Sequence, residues 1–274
     1  MSPRNRPEWA ATFIVSLDGF PLSFSDTRNL EMFVKAYVRD YEVVAEIPDG
    51  PHRFFGDSAA EKRLIFHAVK DPQRTIQVLD IGFGCGNLGA LIKSNPGTAH
   101  WQVDGVDGFE VACFNRPLFE QRHYRNIWHG YAQELPKETL ASYDIVCLLD
   151  VIEHLDVDQA KTLLKELLTG LREDALLIVS TPLWFYPQHS NQAGDLEEHL
   201  IGVPASSMMA LQPMAYAIGP ALVGTFLYGR RSLAFAELFQ PLADRSFTID
   251  KGAQVAVAVG MRLKPGVVTF MPSP

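Results

Sequence analysis

Cysteine is scarce: three residues in 274, Cys85, Cys113 and Cys147, odd in number and far apart. That excludes a disulfide framework and a cysteine-based zinc spacing, and reads as reduced thiols in a cytoplasmic protein. Long apolar runs are also missing. None approaches the roughly 18 to 20 residues needed to cross a bilayer, so no membrane partner is expected. The first residues, Met1 to Trp9, are basic in part but are followed by no apolar signal-peptide segment. Positive charge is short as well, 24 Lys and Arg against 32 Asp and Glu for a net charge of −8. This argues against general affinity for a phosphate backbone. The small basic clusters, Arg4 with Arg6 and Arg230 with Arg231, read as solvated surface. There is no internal repeat, no low-complexity tract and no signal for an oligomeric state. What remains is 47% hydrophobic and 20% charged, enough for one large core without covalent staples.

Residues 1–72 read as an N-terminal helical cap or lid segment. Leu30, Phe33, Val34, Tyr37, Val38 and Tyr41 recur at helical spacing, which predicts a helix over 27–41 with Asp26 as its N-cap. A second helix is expected over 58–69, and Pro51 to Gly56 lie where a lid would close. From Ile76 the pattern changes. Short apolar runs at 76–81, 101–106, 144–149 and 176–180 alternate with helix-forming segments at 87–94, 110–122 and 158–172. Strict alternation means a parallel sheet with helices on both faces, an α/β fold occupying 73–274. Any ligand then sits at the carboxyl ends of the strands.

The first strand runs into Leu79-Asp80-Ile81-Gly82-Phe83-Gly84-Cys85-Gly86. Glycines at 82, 84 and 86 allow a tight turn and close approach of a ligand to the backbone. The helix behind them would offer free N–H groups. Asp80 can accept hydrogen bonds from a cationic ligand or brace the loop. The Gly-x-Gly-x-Gly spacing is tighter than that of pyrophosphate binders, which disfavours a dinucleotide-dependent oxidoreductase. Asp107 closes the second strand 21 residues after Gly86, where a carboxylate can take the two hydroxyls of a ribose.

Over residues 76–182 these segments resemble, in order, the class I S-adenosylmethionine-dependent methyltransferases. The resemblance implies a Rossmann-like, mostly parallel seven-stranded sheet and S-adenosylmethionine as cofactor. It implies a cofactor site of Asp80, Gly82, Gly84, Gly86, Asp107, Gly108, Tyr131, Ala132 and Asp150. His129 to Pro136 is similar to a Gly-Asp-Ala-x-x-Leu-Pro element, with Tyr131 standing where the family places an aspartate beside the adenine amino group. Tyr143 to Leu155 is similar to the family's fourth motif, and Leu176 to Pro182 to its fifth strand.

Methyl transfer from a sulfonium mainly requires alignment and exclusion of water, with a base added when the acceptor is a hydroxyl. Asp150, Glu153 and His154 follow the fourth strand and are the catalytic candidates, joined by His199 from a polar substrate loop near 183–212. Together they make a set of two carboxylates and two imidazoles able to hold a divalent metal such as Mg²⁺ or Mn²⁺. The set resembles the metal-binding pattern of small-RNA 3′-end methyltransferases and the Glu-His element of ubiquinone-biosynthesis O-methyltransferases. It equally resembles an element of many methyltransferases that use no metal, where it shapes the cofactor pocket. Trp184, Phe185 and Tyr186 either flank a flat acceptor or plug the sheet edge.

Residues 216–228 fit either a sixth strand or an inserted helix. The alternating Val255, Val257 and Val259 predict a final antiparallel strand over 254–263, followed by a Pro-rich tail that frays. Segments after Thr181 also look like bacterial methyltransferases acting on sugars and small intermediates. The functional expectation is O-methylation of a small biosynthetic metabolite or sugar. Two alternatives stand beside it. An RNA methyltransferase is opposed by the acidic charge and by the lack of an Asn/Asp-Pro-Pro-Tyr/Phe tetrapeptide at Asp150. A non-catalytic S-adenosylmethionine-binding module is opposed by the complete glycine loop and Asp107.

Overall fold

In the computed structural model, the structure describes residues 63–67, 69, 73–114, 120–190, 194–261 and 263. The helix expected over 27–41, its cap Asp26, the segment at 51–56 and the tail lie outside them. Of the helix expected over 58–69, residues Arg63–His67 form a 3₁₀ turn. Leu64 and Ile65 in that turn are fully buried in the core.

Seven strands form one sheet: β1 Gln77–Ile81, β2 Gln102–Asp107, β3 Asn126–His129, β4 Ile145–Leu149, β5 Leu176–Pro182, β6 Ala215–Ile218 and β7 Val223–Gly229. Their order is β3-β2-β1-β4-β5-β7-β6. The pairs from β3 through β5 are parallel, and β7 runs antiparallel to both of its neighbours. The first strands read as continuous apolar runs because both faces are covered. Leu79, Ile81, Val146, Leu148, Leu177 and Val179 point to one core cluster. Val78, Val103, Ile145, Cys147, Leu149 and Ile178 point to the other, the period of two that a pleated strand imposes.

Six α-helices are described: α1 Asn87–Ser94, α2 Glu110–Cys113, α3 Lys137–Leu140, α4 Val157–Gly170, α5 Ala205–Ala210 and α6 Ile249–Ala258. The best-defined is α4. Asp156 caps it, accepting from the Gln159 amide at 2.8 Å, while the Gln159 side chain reaches back to the Asp156 amide at 3.2 Å, a reciprocal capping box. Ala160, Leu163, Leu164, Leu167 and Leu168 make its buried stripe, which lies on the sheet face of the first cluster.

One expectation about the C-terminal third requires correction. The segment predicted as a closing strand over 254–263 is helical through Ala258, and the antiparallel strand is β7. The valine alternation misled because Val257 is 59% exposed, whereas Gly252 and Ala256 form the buried stripe. A Cβ at Gly252 would stand 2.5 Å from the Leu183 carbonyl oxygen, so a helix with a small-residue face fits against the exit of β5. Residues 216–228, open between strand and helix, form a β6–β7 hairpin. Ala221 and Leu222 turn it in left-handed conformations (φ 54° and 59°). β3 was not anticipated: it is a four-residue edge strand with only Ile127 partly covered, so it carries little apolar pattern.

Candidate functional site

The strand order reverses at β1, where connections pass to β2 on one side and β4 on the other. A cleft of about 780 Å³ opens at the carboxyl ends of these strands, within the ~300–1,000 Å³ of small-molecule sites. Its floor is the turn after β1. Gly82, Gly84 and Gly86 all adopt left-handed conformations (φ 68°, 52° and 79°), which cost a residue bearing a Cβ roughly 1–2 kcal/mol. The Gly82 amide donates to the Val106 carbonyl at 2.8 Å, tying the turn to the end of β2.

Asp107 folds back onto this turn. One carboxylate oxygen accepts from the Gly84 amide at 2.9 Å, the other from the Phe109 amide at 2.8 Å. Asp80, also almost wholly buried, accepts from the Tyr124 hydroxyl at 2.7 Å, and that hydroxyl accepts from the Gly89 amide at 3.1 Å. Asp80 therefore braces the turn through Tyr124. Burial, then the neighbouring Asp80 charge, push the Tyr124 hydroxyl pKa well up, so it stays a donor. Tyr124 was not singled out in the sequence, because a lone tyrosine ahead of an edge strand carries no spacing signal.

Beyond β3, Tyr131 is half exposed and packs over Gly108, where a Cβ would meet its ring at 2.7 Å and Leu196 at 3.0 Å. Ala132 opens a short 3₁₀ turn, Ala132–Glu134. Asp80, Gly82, Gly84, Asp107, Gly108, Tyr131, Ala132 and Asp150 all line the cleft.

The other wall follows β4. Asp150 takes a left-handed conformation (φ 55°) and turns the chain sharply. It is fastened to β5: the Ser180 hydroxyl donates to its carboxylate at 2.7 Å, and its amide donates to the Ser180 carbonyl at 3.0 Å. Ile152–His154 then form a 3₁₀ turn. The Leu200 amide donates to the Glu153 carbonyl at 2.8 Å, which seats the loop after β5 against that turn. Glu153, His154 and His199 thereby converge, with one donor atom from each lying within 4.8 Å of the others. Asp150, the fourth member expected from sequence, is not in this trio and faces Ser180. His154 lines the cleft; Glu153 and His199 are buried behind it.

The two imidazole rings meet edge to face, with centroids 4.6 Å apart. His154 Nδ1 lies 3.2 Å from the Glu198 carbonyl oxygen, and His199 Nδ1 lies 2.8 Å from that of Tyr186. A carbonyl only accepts, so each Nδ1 donates to its carbonyl, and the acceptor position of either ring is Nε2. The His199 pKa is pushed down to about 4, first by burial and then by the adjacent His154, against the pull of the Tyr186 carbonyl. Of the aromatic run after β5, Trp184 and Phe185 plug the sheet edge. Both are buried, and Trp184 Nε1 donates to the Ala221 carbonyl at 2.7 Å. Only Tyr186 approaches the polar trio, 5.6 Å from His199 ring to ring.

A family model described as a methyltransferase domain matches residues 42–212. The chain belongs to the class I S-adenosylmethionine-dependent methyltransferase family. Its cofactor is S-adenosylmethionine. No curated protein matches this methyltransferase. Among solved structures, it resembles the PH0226 protein from Pyrococcus horikoshii OT3 at 24% identity, covering 44% of this chain and 52% of that one with a TM-score of 0.37. It also resembles an S-adenosylmethionine-dependent methyltransferase from Archaeoglobus fulgidus at 22% identity, covering 46% and 53% with a TM-score of 0.34. The methyltransferase thus spans about half the length of these structures. No helix among the described residues is long and apolar enough to cross a membrane.

Proposed function

We propose that this methyltransferase places a methyl group on an oxygen atom of a small biosynthetic metabolite or sugar. The observation that carries this reading is the trio Glu153, His154 and His199, which borders the cofactor cleft through His154. A neutral amine or a thiolate is nucleophilic enough to attack unaided. A hydroxyl oxygen has lone pairs but is a weak nucleophile while it keeps its proton, and needs a neighbouring group that draws on that proton or polarises the oxygen. Two imidazoles and a carboxylate beside the cleft suit that need.

The residues at the strand ends fit the cofactor. The glycine turn lets a ligand approach the backbone closely, and apart from its chain neighbours nothing lies within 4 Å of where a Gly84 Cβ would stand. Each Asp107 oxygen accepts one amide, and a carboxylate offers about four lone-pair positions, so two remain for ribose hydroxyls. Asp80, Gly82, Gly84, Gly108, Tyr131, Ala132 and Asp150 complete the holding set; Gly86, expected there too, is not on the cleft lining and instead turns the chain into α1. When bound, S-adenosylmethionine supplies an electrophilic methyl group on a sulfonium. The chain's own part is to fix donor and acceptor in line and to keep water out. Asp150, locked to Ser180, holds the turn that presents His154.

The test is transfer of an isotopically labelled methyl group to a panel of hydroxylated and aminated small molecules, with the new bond assigned by NMR. Methyl on oxygen, with transfer slowed at least tenfold in His154→Ala, is the expected result. Methyl found only on nitrogen, or an unchanged rate in His154→Ala, would overturn it.

A further inference from the structure

We propose that Glu153, His154 and His199 form a binding site for one divalent transition-metal ion at the acceptor end of the cleft. The inference rests on the oxygen-acceptor reading above and gives that acceptor its anchoring group. Three observations lead to it. A donor atom from each of the three side chains lies within 4.8 Å of the others. First-row metals bind nitrogen and oxygen at about 2.0–2.2 Å, which puts neighbouring ligand atoms roughly 3–4 Å apart. The trio therefore needs only a small inward movement to close on an ion.

The second observation is the state of the histidines. Both Nδ1 atoms are engaged by backbone carbonyls, of Glu198 and Tyr186. This outer-shell arrangement fixes the tautomer and ring orientation of a metal-binding histidine. It leaves both Nε2 lone pairs for the ion. The two rings come from different segments, His154 from the turn after β4 and His199 from the loop after β5, and still meet at 4.6 Å.

The third observation is what the trio excludes. Asp150 is turned to Ser180, so the set is one carboxylate with two imidazoles rather than an oxygen cage. Such ligands favour Mn²⁺, Fe²⁺, Co²⁺ or Zn²⁺ over Mg²⁺ or Ca²⁺. Three protein ligands leave coordination positions open, the pattern of a catalytic rather than a structural site. His154 is the member exposed to the cleft, so the open positions face the acceptor. An ion there would coordinate the acceptor hydroxyl oxygen and polarise it.

The experiment uses Co²⁺ as the probe, titrated into the full chain after chelator treatment and followed by its visible d–d absorption. One equivalent should bind saturably, with affinity falling at least tenfold in His154→Ala and in Glu153→Gln. The Gln variant preserves side-chain volume in case the Ala variant does not fold, and far-UV circular dichroism checks both. No saturable band in the wild type, or equal affinity in the folded variants, overturns the site. Product analysis separates the two readings. Oxygen methylation that persists at full rate in strong chelator, with no Co²⁺ band, rejects the metal and spares the acceptor assignment. A Co²⁺ site lost in the variants, with methylation only on nitrogen, rejects the acceptor assignment and supports the metal.

Discussion

Gly82 and Gly84 sit two residues apart in the same turn, both left-handed, yet they should respond differently to alanine. At Gly84 an added Cβ meets nothing within 4 Å. The cost there is the left-handed backbone alone, roughly 1–2 kcal/mol, offset in part by about 0.4–1 kcal/mol from the stiffer unfolded chain. At Gly82 the same Cβ would stand 2.4 Å from Val151 Cγ2. Valine has no flexible end to swing aside, so an overpacking cost of about 1–3 kcal/mol adds to the strain. Gly84→Ala should therefore lower stability by about 1 kcal/mol and Gly82→Ala by about 2–4 kcal/mol. Urea unfolding at constant slope reads the difference directly. Val151→Ala supplies the control, because it removes the colliding methyl. The Gly82→Ala, Val151→Ala double variant should be less destabilised than the sum of its parts by about the overpacking term. Equal losses at the two glycines, or strict additivity with Val151→Ala, would refute the reasoning.

Asp107→Ala should weaken S-adenosylmethionine binding at least tenfold by calorimetry, with no binding of NAD by the wild type; unchanged affinity would mean that the ribose contact lies elsewhere. Asp104 tests the sheet beneath the site. Burial favours its protonated form, but hydrogen bonds from Arg125, Tyr143 and Asn126 outweigh that and hold its carboxyl below the ordinary value of 3.8. Arg125 is 43% exposed, so Asp104→Asn should cost about 2–4 kcal/mol, below the ~3–5 kcal/mol of a fully buried pair. Because the folded-state pKa is the lower one, this contribution is complete above pH 3.8 and is lost as pH falls through the folded value. The stability gap between wild type and Asp104→Asn should shrink in acid, and a gap that widens there would contradict the assignment.

The sequence by itself determined the four buried parallel strands β1, β2, β4 and β5, the glycine turn and Asp107, because a buried parallel strand and a ligand-binding turn are both local patterns. It placed α1 at its observed bounds, 87–94, since the helix starts where the glycines end. It named Glu153, His154 and His199 as candidates, but it also included Asp150 in the same set. Only the tertiary structure decided that division. Ser180, thirty residues away in sequence and on the adjacent strand, takes the Asp150 carboxylate. The Glu153 carbonyl receives the Leu200 amide and so draws His199 against His154. Likewise, Tyr124 reaches Asp80 only because the segment leading into β3 lies over Gly105 of β2 beside β1, and the small face of α6 had meaning only once β5 lay beneath it. Periodicity reports which side of a segment is apolar; it carries no information on which distant segment that side will meet.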